Sequence, residues 1–176
     1  MRKLKFIYSF LSALFVIMTL NLQVITAKTF NSHNGGQDKV FMAGAAKSNI
    51  TPFLGGGIVG NFGTPPPAAH VHDELHAKCL ALDDGTTKII LIVVDIIGLN
   101  TNLTEEAKRV ISEETGVPVG NIMISAIHTH SAVSAQGEGA RRRRWTVGEP
   151  FDEYQKFVIR RFADGARIAL NNLEPA

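Results

Sequence analysis

The chain has 176 residues, of which 45% are hydrophobic and 19% are charged, with 16 glycines, 7 prolines and one cysteine. This composition fits one globular domain or part of a larger one, and it excludes a disordered or collagen-like chain. A single cysteine cannot form an internal disulfide, so the chain is not a disulfide-stabilised scaffold. We expect Cys79 to be a buried, inert thiol, because its neighbours are small and apolar.

Residues 1–27 have the pattern of a secretory signal peptide, with a basic start, an apolar run over residues 6–20 and Ala27 before the expected cleavage point. The apolar run is short for a membrane span, and an uncleaved anchor is the alternative. Removing the three cations of this segment leaves 15 Lys+Arg against 16 Asp+Glu, a net charge of −1. We therefore expect an exported protein, periplasmic or secreted, that does not bind nucleic acid.

The mature chain begins with a polar stretch, residues 28–39, which we expect to be a flexible leader. The fold occupies residues 40–176 and starts with a short apolar segment, residues 40–46, that Pro52 separates from the rest of the fold. The next stretch, residues 55–67, is rich in glycine and proline. Loops of this length are often functional.

Two strands are predicted over residues 75–82 and 88–97, because an Asp-Gly step in the connection between them is typical of a hairpin. The second strand is apolar almost throughout, which indicates a central strand buried on both faces. Asp95 interrupts it. A carboxylate there must be hydrogen-bonded, bound to a metal, or directed into a cavity at the strand end.

A helix comes next, with Asn102 or Thr104 as its cap and Gly116 at its end, and then a strand over residues 121–127. Strand, helix and strand in this order indicate a right-handed crossover between parallel strands. Residues 151–173 have apolar side chains at steps of three or four, which predicts a long helix with one face on the sheet. The fold class is therefore α/β, with a mixed sheet, a parallel crossover and a long C-terminal helix.

Two histidines, His128 and His130, lie just past the end of what we predict to be a central strand, where open α/β sheets place their ligand sites. In extended backbone both imidazoles point to the same side, so they can share a metal or divide between metal and substrate. Zinc favours nitrogen ligands, and a catalytic zinc takes three protein ligands. The hydroxyls of Thr129 and Ser131 could donate to an oxyanion or orient a ring. The alternative is a pair of surface or structural histidines.

A second cluster of metal-binding residue types contains His70, His72, Asp73 and His76. It differs from the His-x-His-x-Asp-His pattern of binuclear metallohydrolases, because the aspartate directly follows the second histidine. A polar loop that enters a strand is the alternative.

A run of four arginines beside Trp145 is the strongest local concentration of charge, and it comprises Arg141, Arg142, Arg143 and Arg144. A solvated loop is the favoured interpretation, because the mature chain as a whole is not basic. Contact with a membrane surface stays open.

Five segments together resemble the amino-terminal part of the neutral/alkaline non-lysosomal ceramidase family. The resemblance covers residues 40–176, and it is carried by residues 43–52, the glycine segment through Val59-Gly60-Asn61, residues 72–82, the apolar strand with Asp95, and residues 124–131. The His-Thr-His-Ser block is the most specific element. After Ser131 this chain continues with Ala132-Val133, where the family has Gly-Pro.

The resemblance implies a secreted or membrane-associated zinc amidase that cleaves ceramide into fatty acid and sphingoid base. It implies that His128 is a Zn²⁺ ligand, that His130 exchanges a proton with substrate, and that His72 lies near the substrate. Gly60 would line the mouth of the substrate site, and we expect Asp95 and Ser131 to support the site from behind. The family's remaining zinc ligands, a His, a Glu and a Tyr, lie beyond the end of this chain, so we expect residues 40–176 to be the front part of a larger catalytic domain.

Two other functions stay open at this point. The altered residues after Ser131 are compatible with a metal hydrolase of the same fold that acts on a non-lipid amide or ester. The missing ligands are compatible with an exported protein that binds zinc or another ligand without turnover.

Overall fold

The computed structural model describes residues 39–60, 63–135 and 150–176. The strands of this part are β1 (Met42–Asn49), β2 (His76–Asp83), β3 (Lys88–Val94), β4 (Ile122–Ala126) and β5 (Glu174–Pro175), and its helices are α1 (Thr101–Thr115) and α2 (Glu153–Asn171). A short 3-10 turn, Val119–Asn121, precedes β4. The predicted signal peptide, nearly all of the leader and the four consecutive arginines lie outside the described residues.

The strands form one mixed sheet in the order β4-β3-β2-β1-β5. β1 pairs antiparallel with β2 and β5, and β2 pairs antiparallel with β3. β3 and β4 are parallel, and α1 connects them. The predicted α/β class, the mixed sheet and the parallel crossover are confirmed. The two-residue strand β5 was not predicted, because so short a segment has no readable periodicity.

The β2-β3 hairpin forms where the Asp-Gly step predicts it. Asp83 pairs with Lys88 across the hairpin, and the backbone N–H of Gly85 donates to Asp83 Oδ1 at 2.8 Å. The N–H of Thr87 donates to Asp84 Oδ1 at 2.7 Å. These carboxylates satisfy turn donors that would otherwise need water, which is why acidic residues are favoured here.

Both helices cover the same face of the sheet. The buried side chains of β2 and β3 alternate along each strand and form one core with those of the helices. The members from the strands are Ala77, Cys79, Ala81, Ile90, Ile92 and Val94, and those from the helices include Leu103, Ala107, Ile111, Val158, Phe162 and Ala166. The opposite face is more open, with Leu80 at 37% and Met123 at 51% exposure.

The prediction that the second hairpin strand is central is confirmed, since β3 lies between β4 and β2, but the prediction that both of its faces are buried is wrong for the described residues. In β3, Ile90 and Ile92 are fully buried, whereas Leu91 and Val93 on the other face are partly exposed. β4, which leads to the two histidines, lies at an edge of this sheet and is not central. An apolar run does not tell whether one or both faces are covered, because coverage depends on elements distant in sequence.

The first helix begins earlier than its predicted cap residues. Its N-cap is Asn100, and Thr104 lies inside the first turn, where its hydroxyl donates to Thr101 O at 2.9 Å. The predicted stop is confirmed, since Gly116 adopts φ 74° and its N–H donates to Ser112 O at 2.9 Å. No helix in the described part of the chain is long and apolar enough to cross a bilayer.

The second helix connects three distant segments of the chain. Asp152 caps it, and Asp152 and Gln155 exchange two hydrogen bonds in a capping box. The amide of Gln155, 5% exposed, donates to Ala135 O at 3.0 Å, and the hydroxyl of Tyr154 donates to Ile50 O at 2.7 Å. The start of α2 therefore anchors the segment before the glycine-rich loop and the segment after the histidine pair.

Substitution of Gly44 by alanine should destabilise the fold by about 2–3 kcal/mol, the cost typical of forced overpacking. A methyl group there would stand 2.7 Å from the carbonyl carbon of Asn172 and 2.8 Å from the backbone N of Leu173, and backbone atoms cannot rotate away. Gly120→Ala is the matched control, because no atom lies within 4 Å of the added methyl. Urea denaturation that finds equal stability for the two variants would contradict the close packing of β1 on α2.

The thiol of Cys79 should be inert in the folded protein and should lower stability at high pH. Cys79 is only 3% exposed, and this burial raises the pKa of its thiol from 9.0 to about 12. Above pH 9 the unfolded chain releases a proton that the folded chain keeps, so unfolding becomes easier by up to about 1.4 kcal/mol per pH unit until pH 12. Denaturation from pH 8 to 11 should show a smaller slope in Cys79→Ala, and equal slopes would contradict the raised pKa.

Candidate functional site

The chain leaves β4 beside the end of β3, because the parallel pairing continues past both strands. The N–H of Ile127 donates to Val94 O at 3.0 Å, and the N–H of His128 donates to Ile96 O at 3.1 Å. These two bonds hold His128 against the segment that comes after β3. The position agrees with the rule that ligand sites of α/β sheets lie at the carboxyl ends of strands.

The backbone at His128 is left-handed, with φ 64°, and it is the non-glycine residue with positive φ in the described part of the chain. The extended backbone that was expected to bring the two imidazoles to one side is therefore not what the structure has at His128. The rings do lie together, with centroids 4.9 Å apart at an interplanar angle of 71°. A non-glycine residue in this region costs about 1–3 kcal/mol, and such strain is concentrated at functional sites.

Both imidazoles are oriented by backbone carbonyl oxygens. His128 Nδ1 lies 2.7 Å from Ile97 O, and His130 Nδ1 lies 3.1 Å from Gly60 O. A carbonyl oxygen only accepts, so in each ring Nδ1 carries the proton and Nε2 of the neutral ring holds a free lone pair. Metal-binding histidines have this arrangement, with the other ring nitrogen donating to a carbonyl or carboxylate.

Gly60 fits closely against His130. Its φ is 115°, which only glycine adopts without strain, and a methyl group there would stand 2.5 Å from His130 Cβ and 2.7 Å from Cγ. The neighbouring N–H of Val59 donates to Ala132 O at 2.9 Å. The glycine segment is therefore bonded to the histidine segment. Contact of Gly60 with substrate stays a prediction, and the residue supports the imidazole of His130.

Of the other two residues expected to support the site, Asp95 has its partners on β2, and Ser131 has its partner within the histidine segment. Asp95 Oδ1 accepts from Lys78 Nζ at 2.6 Å, and its Oδ2 accepts from the N–H of His76 at 3.1 Å. Of the alternatives for this carboxylate, hydrogen bonding is the one observed, and it connects Asp95 to β2. The hydroxyl of Ser131 lies 3.2 Å from that of Thr129.

The structure does not bring the members of the second histidine cluster together as a group of metal ligands among the described residues. The side chain of His72 is 91% exposed, and its Nε2 lies 3.9 Å from Asp73 Oδ2. His76 Nδ1 lies 3.1 Å from Glu74 O. Across residues 39–60, 63–135 and 150–176, no three His, Cys, Asp or Glu side chains are grouped to hold a metal ion.

Sequence reasoning missed the two carbonyl groups that hold the rings. Ile97 carries no polar side chain, and Gly60 is a residue type typical of turns, so neither reveals a hydrogen-bond acceptor aimed at an imidazole. The available signal was position. Residues just after β3 must lie beside residues just after β4 once the strands pair in parallel.

Two solved structures share this fold. The neutral ceramidase from Pseudomonas aeruginosa has 19% sequence identity and a TM-score of 0.66, over 79% of this chain and 23% of that one. A ceramidase complexed with C2 has 18% identity and a TM-score of 0.64, over 78% of this chain and 22% of that one. This chain thus spans less than a quarter of the length of either structure. No protein-family model matches it.

Alanine at position 60 should displace the ring of His130. Gly60→Ala adds backbone strain and a methyl group 2.5 Å from His130 Cβ, so we expect a lower melting temperature and a shift of the His130 imidazole resonances in NMR. Gly63→Ala in the same loop has no atom within 4 Å of the added methyl and should leave these resonances unchanged.

Gly55→Ala separates the two causes, because φ there is 97° and the added methyl meets no atom within 4 Å. It should lower stability without moving the His130 signals. A Gly60→Ala protein whose His130 resonances coincide with those of the parent would contradict the close approach.

Proposed function

We propose that this chain is part of a zinc-dependent hydrolase that cleaves the amide bond of ceramide or a related lipid amide into fatty acid and sphingoid base. The observation that carries the proposal is the pair of imidazoles whose Nδ1 atoms are held by Ile97 O and Gly60 O. The pair lies after a parallel strand of a fold that this chain shares with neutral ceramidases. The reaction and the substrate are inferences from that likeness.

The imidazole pair fits the donor chemistry of zinc. Each ring has a proton on Nδ1, fixed by a carbonyl, and a lone pair on Nε2, which is the form that binds Zn²⁺. We assign the metal to His128. A catalytic zinc takes three protein ligands, so the proposal requires further ligands from outside the described residues. Bound zinc would polarise the amide carbonyl and lower the pKa of water.

We assign proton transfer to His130. Its Nε2 lone pair can take the proton of an attacking water, and the resulting imidazolium can give that proton to the departing amine. The carbonyl of Gly60 would strengthen its bond to Nδ1–H as the ring becomes charged, because hydrogen bonds to ionised groups are stronger. His72, which is exposed, is kept as a proposed substrate contact.

Zinc binding without turnover is the second candidate function. It is favoured by the count of grouped ligands, because the described residues bring two imidazoles together and no third ligand.

Export of the mature protein, with residues 1–27 as a cleaved signal, is proposed from the sequence pattern.

In the whole protein of which this chain is proposed to be part, replacing His128 should abolish both zinc binding and ceramide hydrolysis. We choose His128→Gly, because glycine adopts the left-handed backbone of this position without strain. His130→Gln should retain zinc binding and lose about 10²–10⁴-fold in turnover, the size of a general acid–base contribution. His70→Ala, at an exposed histidine outside the pair, is the matched control and should behave as the parent.

Calorimetry with zinc and release of a labelled fatty acid from N-acylsphingosine measure the two properties separately. Zinc binding without fatty-acid release by the whole protein that contains this chain would favour the second candidate. Hydrolysis that survives both His128→Gly and a chelator would refute the proposed metal dependence.

A further inference from the structure

Two consecutive large apolar side chains extend into water at the start of the glycine-rich loop. Phe53 is 97% exposed and Leu54 is 57% exposed. Scattered exposed apolar residues are ordinary on protein surfaces. Two adjacent ones at the tip of a turn, one of them a phenylalanine with almost no protein contact, form a small apolar projection that needs an explanation.

The segment that carries this projection has no ionisable side chain. Residues 50–69 contain no Asp, Glu, Lys, Arg or His, although 19% of the whole chain is charged. A loop without charges can enter the boundary between lipid headgroups and acyl chains without the cost of desolvating ions. The projection therefore suits a lipid surface, and its neutrality suits zwitterionic lipids.

The described part of the loop, residues 50–60 and 63–69, is held by backbone hydrogen bonds and connects to the candidate site. The N–H of Gly55 donates to Ala68 O at 2.9 Å, and the N–H of Ala68 donates to Gly56 O at 2.8 Å. Further along the same loop, Gly60 O accepts a hydrogen bond from the ring of His130. The same short segment thus carries the apolar tip and a support of the proposed catalytic imidazole.

We propose that the turn formed by Phe53 and Leu54 inserts into the interfacial layer of a membrane and brings the histidine pair to a lipid substrate dissolved there. The proposal rests on the proposed function, because a ceramide is held in the bilayer and must be reached at its surface. Binding through this turn uses apolar burial, so it does not require anionic lipids and is insensitive to salt.

A tryptophan placed in the turn tests insertion locally. We compare Phe53→Trp with Phe157→Trp, both in the full chain carrying Trp145→Phe so that each protein has one tryptophan. Phe157 is a matched control, because it is a 40% exposed phenylalanine on α2. With phosphatidylcholine vesicles that carry brominated acyl chains, emission at position 53 should shift to the blue and be quenched, with neither change at position 157.

Absence of quenching at position 53, or equal quenching at both positions, would overturn the proposal. Quenching that occurs only on anionic vesicles and is lost in salt would also overturn it, since it would assign binding to charge. Self-association of the parent that Phe53→Ser removes, without quenching on vesicles, would assign the turn to a second copy of the chain.

Activity provides an independent readout. Phe53→Ser combined with Leu54→Ser should lose about tenfold of the hydrolysis of ceramide in vesicles and keep that of a water-soluble short-chain amide, whereas Phe157→Ser keeps both. Equal loss on both substrates would indicate a structural effect and count against docking. A whole protein containing this chain that hydrolyses neither substrate refutes the proposed function, and the tryptophan measurement then decides on docking alone.

Discussion

The parallel pairing of β3 with β4 beyond their last residues is the constraint on which the candidate site depends. This pairing places the backbone N–H of His128 against Ile96 O. The carbonyl oxygen of the next residue, Ile97, then accepts from the ring of His128. The left-handed turn at His128 redirects the chain so that His130 reaches Gly60. Without that pairing the ring of His128 would lose the acceptor of its Nδ1 proton, Ile97 O.

Helix α2 supports this arrangement by holding two segments that flank the site. Its first turn holds Ile50 O, ahead of the glycine-rich loop, and Ala135 O, after the histidine pair. Close contact with the sheet at Gly44 brings the C-terminal end of the helix onto β1. The helix backbone leaves no room for a side chain at Gly44. The position of the helix on the sheet is therefore set by sterics as well as by apolar burial.

The fold was predicted better than the site because its signals are local. The Asp-Gly step, the apolar periodicity of α2 and Gly116 each act over a few residues, and each is confirmed. The burial of β3 and the place of β4 in the sheet were predicted wrongly, since both depend on what lies across the sheet. For the site, the nearness of His128 and His130 is confirmed, and the extended backbone expected to produce it is not.

The sequence by itself determined the α/β class, the order of the main elements and the candidate imidazole pair, because periodicity and turn chemistry are properties of neighbouring residues. Only the tertiary structure decided which atoms hold those rings. Backbone carbonyls have no signature in sequence, and residues 60 and 97 reach the histidines through contacts spanning 70 and 31 positions of the chain. Tertiary packing also showed that Asp95 bonds to β2, because a carboxylate pairs with whichever donors the sheet register brings to it.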